Sequence, residues 1–362
     1  MLSLYLTPFI ISFALSLFLT LFLIKISAKL KIFFPAGKQY FYGNNISRIG
    51  GAAIIAAFLS AIFFTGNLEF DNLKWGMAIC SVIILFFGFI DDIKKLSWKK
   101  QIFAQIIVAA VMIYSGLGVE YIANPFGGAE FRMDTAAYQI AGKQYYLFSS
   151  VFVLFLIVGF MNIVNWLDGL DGLAGGVGII GFLTLFFLSI SSLVNQPPIG
   201  IISIAAAGAI LGFLLFNFYP AKIFMGTSGA MFIGFLLAVV SVFSGAKLAT
   251  VALVLTIPIL DAVWVIIRRV RKNSSIFAGD KKNHLHYRLL ELGFSQNKIV
   301  FFYYILSILF GIIALKLGGL GKFIAFIIFT SLVILFVNLI ENYYINNAKV
   351  QMTNAKSNLK LK

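Results

Sequence analysis

Long apolar runs alternate with short polar connections along most of this chain. Eleven runs of about 17–22 residues are long enough to be read as membrane-spanning helices. They cover roughly 4–24, 50–66, 75–91, 102–118, 147–164, 173–194, 199–217, 228–244, 248–267, 298–315 and 323–341. The longest connection on one side, about 119–146, contains Pro125, Gly127 and Gly128, and its alternation over 136–147 predicts a short hairpin. The residues after Tyr344 are polar. The pattern predicts an all-α integral membrane protein: one polytopic domain over 1–345, a bundle of about ten or eleven helices, and a polar, disordered tail over 346–362.

Composition narrows the class. With 61% hydrophobic and 11% charged residues, the chain is no ordinary soluble domain. Cys80, the single cysteine, lies inside a run and forms no intrachain disulfide. The first run lacks a small-residue cleavage site near its end, so it is read as a retained helix. There is no solenoid-type repeat and no second soluble domain. A net charge of +15 raises the question of nucleic acid. In a chain this apolar it reads instead as basic loops facing anionic lipid. Placing the N-terminus outside puts 22 of the 28 lysines and arginines on one set of connections, which the positive-inside rule makes cytoplasmic. They include Lys25, Lys29, Lys31, Lys38 and Arg48 after the first run, and the stretch from Arg268 to Lys298 after the ninth. Every polar motif below falls on that face.

The densest motif is NIVNWLDGLDGLAGG, Asn162 to Gly176. Asn162, Asn165 and Asp168 are spaced by three and share a helical face. The glycines beyond them let backbone approach a ligand closely. Carboxylates and amides beside small residues suit a hard cation and the phosphates it binds. A plain polar turn would need no acidic pair flanked by spaced amides. The third run ends in Asp91-Asp92, where two adjacent carboxylates repel. Partial burial of such a pair poises one as a general base, or both face a cation. Lys94, Lys95, Lys99 and Lys100 follow and suit phosphates, although the orientation rule alone accounts for lysines there. The seventh run ends with Asn217, Pro220, Lys222 and a Gly-Thr-Ser-Gly turn that can offer N–H groups to an anion. Asp261 lies inside the ninth run, and its spacing predicts a pairing with Arg268 two turns on. His284, His286 and Arg288 follow. Two histidines spaced by two could begin a zinc site, but nothing completes one. With Arg288 they suit a pyrophosphate as charge-assisted donors.

Cation ligands, phosphate contacts and a base at the mouth of a helical bundle are equipment for phosphoryl transfer between a soluble nucleotide compound and a lipid. These residues also resemble a known family, the polyprenyl-phosphate sugar-1-phosphate transferases. Its members start the lipid-linked precursors of peptidoglycan, teichoic acid and O-antigen. The resemblance runs from about Arg48-Ile49-Gly50-Gly51 to His284-Leu285-His286. It rests on Asp91-Asp92, NxxNxxDGxDGLAGG, FNxxPAKxFMG and DKxxHLHxR in that order. It implies a bundle of ten or eleven helices, often a homodimer, in a bacterial-type plasma membrane. The implied reaction is UDP-sugar plus polyprenyl phosphate giving polyprenyl-diphospho-sugar and UMP, with Mg2+ or Mn2+. HLHxR after Asp280-Lys281 looks like the N-acetylhexosamine branch rather than the branch using UDP-MurNAc-pentapeptide.

Carried over residue by residue, the resemblance makes Asp91 the group that deprotonates or positions the lipid phosphate, with Asp92 supporting. The two roles can be exchanged. Asn165, Asp168 and Asp171 would form the cation and nucleotide wall. Asn162, Lys99, Lys100, Asn217, Lys222, Thr227, His284, His286 and Arg288 would bind substrate. There are three departures. Thr227 stands where the family's FMGDxGS has a metal-binding aspartate, Gln101 where it has a lysine, and Tyr287 where it has a third histidine. The first two support a rival reading, a non-catalytic homologue that binds polyprenyl phosphate or a nucleotide sugar. A secondary transporter fits less well, since its coupling acids belong near the bilayer midplane. A CDP-alcohol phosphotransferase is set aside, because no arginine follows Asp171-Gly172-Leu173-Ala174-Gly175 and no further acid occurs until Asp261.

Overall fold

The computed structural model describes residues 2–30, 46–65, 71–192, 194–243, 245–271 and 284–360. All eleven apolar runs form helices. Four precede the long loop: α1 (Leu2–Leu30), α2 (Gly50–Phe64), α3 (Asp71–Lys94) and α4 (Trp98–Tyr114). Four follow it: α5 (Leu147–Leu167), α6 (Leu173–Ile190), α7 (Pro197–Asn217) and α8 (Gly226–Val242). The ninth run is two helices, α9 (Gly245–Val254) and α10 (Thr256–Arg271), bent by 78° at the break. Pro258 sits in the first turn of α10, where its missing N–H removes a bond from the ladder that would join the two. Then come α11 (Leu285–Glu291), α12 (Gln296–Lys316) and α13 (Gly319–Lys360), the last extending well past the apolar limit near 341. Among the described residues seven helices are long and apolar enough to cross a membrane, or eight if the bent pair is one span, with α2 and α8 as shorter apolar helices. The molecule is an all-α, multi-pass membrane protein.

Among the described residues, strands are confined to the loop before α5. β1 (Tyr121–Ile122) pairs antiparallel with β2 (Phe131–Arg132), and β3 (Ala137–Ile140) with β4 (Lys143–Tyr146). The second pair is the hairpin expected over 136–147.

α8 is apolar all round and buried along nearly its whole length, as a helix without a polar face must be. It packs against α2, α3, α5 and α6. α7 is nearly as buried and lies against α1 and α6. Its Gly208 and Gly212 let α1 come backbone to backbone: a Cβ at Gly208 would stand 2.7 Å from Phe9 O, and one at Gly212 2.6 Å from Phe13 O. Small residues at such spacing are how helices pack closely in lipid, where apolar burial alone gives no attraction between them. By contrast, α3 exposes Ile79, Val82, Phe86, Phe89 and Ile93, a lipid-facing stripe at helical spacing. The core therefore holds α8 rigidly, and the start of α8 is where the polar motifs meet.

Candidate active site

Four helix ends and the segment before α2 build one cleft. It is lined by Arg48, Asp92 of α3, Asn165 of α5, Asp168, Leu170 and Asp171 of the α5–α6 turn, Asn217 of α7, Phe224, and Gly226 and Thr227 of α8. These residues are far apart in sequence, and α8 is the piece on which they converge.

The first group surrounds the end of α3. Thr227 N, at the start of α8, donates to Asp92 Oδ2 at 2.9 Å and lies 3.2 Å from Oδ1. The first N–H groups of a helix have no partner within it, and a carboxylate there is favoured by the helix dipole. Gly226 has φ +69, and a Cβ on it would meet Asp92 Oδ2, so only glycine lets the carboxylate approach. Arg48 Nη1 lies 3.8 Å from Asp92 Oδ1. The neighbouring Asp91 is also fully engaged. Its Oδ1 accepts from Leu96 N and Gln101 Nε2, both at 2.8 Å, and its Oδ2 accepts from Thr227 Oγ1 at 2.8 Å.

The second group is the Asp168–Asp171 turn, which is gripped from several sides. Asn217 Oδ1 accepts from Gly172 N at 3.1 Å, and its Nδ2 donates to Ile223 O at 2.9 Å. Asn217 thus joins the turn to the α7–α8 connection. Asp171 Oδ2 accepts from Ala221 N at 3.1 Å. Tyr304 donates its hydroxyl to Gly172 O at 2.5 Å and Tyr287 donates to Gly169 O at 3.2 Å. Burial, with the charge of Asp168 adding to it, pushes the Tyr287 hydroxyl up to about 12.

The histidine motif sits behind this turn. His284, His286 and Arg288 are all buried. A Cβ on Gly169 would collide with His286 Nε2, so that ring lies directly against the backbone of the turn. The His284 and His286 rings stack at 5.7 Å. Asp261 orients the motif. Its Oδ2 accepts from His284 Nδ1 and its Oδ1 from Leu285 N, both at 2.8 Å. The expected pairing of Asp261 with Arg268 gives way to this contact, because the start of α11 brings His284 and Leu285 to the carboxylate. Asp280 and Lys281 of the same motif lie outside the described residues, as do Lys31 and Lys38 of the first basic connection.

Several expected site residues lie elsewhere. Asn162 is one turn deeper than Asn165 and donates to Gln105 Oε1 and Val158 O, both at 2.7 Å. Lys99 and Lys100 are exposed on the first turn of α4, with Lys99 Nζ 5.7 Å from the Trp98 ring centre. Lys222 is exposed beside the cleft. Sequence reasoning missed Arg48, counting it only as an orienting charge. It read Gln101 as a lost lysine, whereas its amide is bonded to Asp91. The available signal for Arg48 was its place at the start of the Arg-Ile-Gly-Gly motif.

As for a metal, no three His, Cys, Asp or Glu side chains among the described residues stand close enough to hold one by themselves. Asp168 and Asp171 with Asn165 do supply hard oxygen donors on one wall of the cleft. That set fits a magnesium-like ion, which keeps several waters and takes its other ligands from phosphate.

Residues 74–245 match the family model described as Glycosyl transferase family 4. A probable undecaprenyl-phosphate N-acetylglucosaminyl 1-phosphate transferase of Bacillus subtilis (strain 168) is 30% identical over 314 residues, covering 84% of this chain and 83% of the relative. A decaprenyl-phosphate N-acetylglucosaminephosphotransferase of Mycobacterium tuberculosis (strain CDC 1551 / Oshkosh) is 32% identical over 71% of this chain and 69% of its own. A phospho-N-acetylmuramoyl-pentapeptide-transferase of Endomicrobium trichonymphae is 29% identical over 75% and 79%. With the acidic pair, the DGLDG turn and the Asn217 segment gathered on one cleft at the helix ends, and with relatives matched over most of their length, the chain belongs to glycosyl transferase family 4.

Proposed function

We propose that this protein transfers an N-acetylhexosamine 1-phosphate from a UDP-sugar to polyprenyl phosphate, such as undecaprenyl phosphate, and releases UMP. One observation carries the reading: Asp92, Asp168, Asp171, Asn217 and Arg48 come from separate parts of the chain to one cleft at the helix ends. The relatives are named for the same transfer, and the distribution of lysine and arginine favours a cytoplasmic cleft. The reaction joins a soluble donor to a lipid acceptor and begins an envelope glycan. Assembly as a homodimer is part of the same reading.

In the transfer, an oxygen of the lipid phosphate forms a bond to the phosphorus that carries the sugar. The bond from that phosphorus to the bridging oxygen breaks, and UMP leaves with the bridging oxygen. Asp92, which lines the cleft, accepts the proton of the lipid phosphate or orients it. Asp91 supports it, so the two roles are exchanged relative to the first assignment. Arg48 meets the phosphate charge. Asn165, Asp168 and Asp171 would hold Mg2+ or Mn2+, which when bound neutralises the diphosphate. Asn217, Tyr287 and Tyr304 hold the turn that carries those acids, and His286, with His284 stacked on it, braces the turn from behind. Lys99, Lys100 and Lys222, all exposed, attract the anionic substrates toward the cleft.

The test is UMP release by the purified protein in lipid, with undecaprenyl phosphate, magnesium or manganese, and a panel of UDP-N-acetylhexosamines. Release with one donor, lost in Asp92→Asn, is expected. Folded protein that binds a UDP-sugar but releases no UMP from any donor overturns the proposal. It would favour the non-catalytic homologue, for which Thr227 at a cation-binding position is the supporting observation.

A further inference from the structure

Among the described residues, no lysine holds the acidic pair at the end of α3. Among the described residues, Asp91 receives three side-chain hydrogen bonds, all from neutral donors: Leu96 N, Gln101 Nε2 and Thr227 Oγ1. Two of these are side chains on different helices, one bound to each carboxylate oxygen. Thr227 does more, since its N–H donates to Asp92 and its hydroxyl lies 3.3 Å from Asp92 Oδ1. A single threonine therefore spans both acids, and Gln101 closes the far side of one of them.

We propose that Gln101 and Thr227 are a coupled pair of positioning residues: two neutral donors that together orient Asp91 and, through the shared threonine, set Asp92 in the cleft. This rests on the transferase reading for its catalytic consequence, but the coupling itself does not.

The physical argument is one of charge balance. An acid at 227 would bring a third carboxylate to within hydrogen-bond distance of two others. Like charges so close raise one another's energy steeply when partly buried. Arg48 is the only cation among the described residues paired with Asp92, and Gln101 adds no charge. A lysine at 101 would supply what is missing, on the opposite oxygen of Asp91. Neutral donors at both positions and an acid with a lysine leave the cluster the same net charge, whereas an acid alone adds one uncompensated negative charge. An acid introduced at 227 alone should therefore damage the protein.

The experiment is a double-mutant cycle on the full-length protein in detergent and lipid. It uses Thr227→Asp, Gln101→Lys and the two combined, and reads both the thermal unfolding midpoint and UMP release. Thr227→Asp alone should lower the midpoint and cut UMP release, and adding Gln101→Lys should recover both. The coupling in rate should be about 10-fold, within the range for residues sharing one hydrogen-bonded network. Thr227→Val should lower kcat with the donor KM little changed, and Thr227→Ser should recover about half or more of that loss, since a hydroxyl is again present. Additive effects in the midpoint overturn the proposal, as does a gain of activity from Thr227→Asp alone. A coupled midpoint in protein that turns over no donor supports the pair and removes the transferase reading instead.

Discussion

The two acidic groups of the cleft differ in where their surroundings hold them. At the end of α3, protein donors reach the carboxylate oxygens themselves, from Thr227, Gln101, Leu96 and Arg48. In the α5–α6 turn, the backbone beside the acids is gripped as well, at Gly169 O and at Gly172 N and O. The first arrangement tunes the acids, because their donors decide how charge is shared. The second fixes where the acids stand. A proton acceptor needs the first kind of control, and a cation wall needs the second.

Substitutions that separate the two groups sharpen this contrast. The largest effect is expected for Asp92→Asn, which should cut UMP release by about 10³-fold, within the range for losing a general base, at saturating magnesium and without rescue by more. Asp171→Asn should behave differently. Magnesium titrations of UMP release should shift by about 10–100-fold, as for disturbed metal sites, with activity regained at high metal. If both variants respond to metal alike, the division between the groups is wrong. Asp261→Ala removes the acceptor of His284 Nδ1 and Leu285 N. Leaving those buried donors unmet should cost about 1–3 kcal/mol, read as a lower unfolding midpoint, with UMP release falling less than in Asp92→Asn. Tyr287→Phe should be the mildest, costing about 1 kcal/mol or less for one hydrogen bond. Its signature lies in alkali. The hydroxyl proton is held more tightly in the folded state, up to about 12 against an ordinary 10.0. The stability it contributes is therefore complete below that ordinary value and is lost as pH rises toward the folded one. Tyr287→Phe should flatten that part of the alkaline unfolding curve, and an unchanged curve would remove Tyr287 as its source.

The membrane architecture was legible in the chain because apolar length is a local property. Each of the eleven runs forms a helix. The break after Val254 was not visible, since the apolar run continues across it and Pro258 alone does not set an angle. At the site, residue types were readable and partners were not. Asn165 and Asp168 line the cleft as their shared face suggested, but Asn162 on the same face lies a turn deeper and bonds Gln105. Asp261 was matched to Arg268 by spacing along one helix, whereas its partner His284 comes from the far side of a long connection, at the start of α11. Thr227 and Gln101 looked like two separate losses. That they meet on one carboxylate depends on α3, α4 and α8 converging, which no spacing within a helix encodes.

The seam between α1 and α7 bears on how this protein assembles. α1 is the first of the helices in chain order, and its close partner along Gly208 and Gly212 follows only after α2 to α6. Such non-local pairing is slow to form, because a long loop must close before the contact repays it. Chain order does not deliver α7 to α1. The two must find each other by lateral movement in the bilayer, and the helix that α1 then grips is the one whose end carries Asn217 into the cleft.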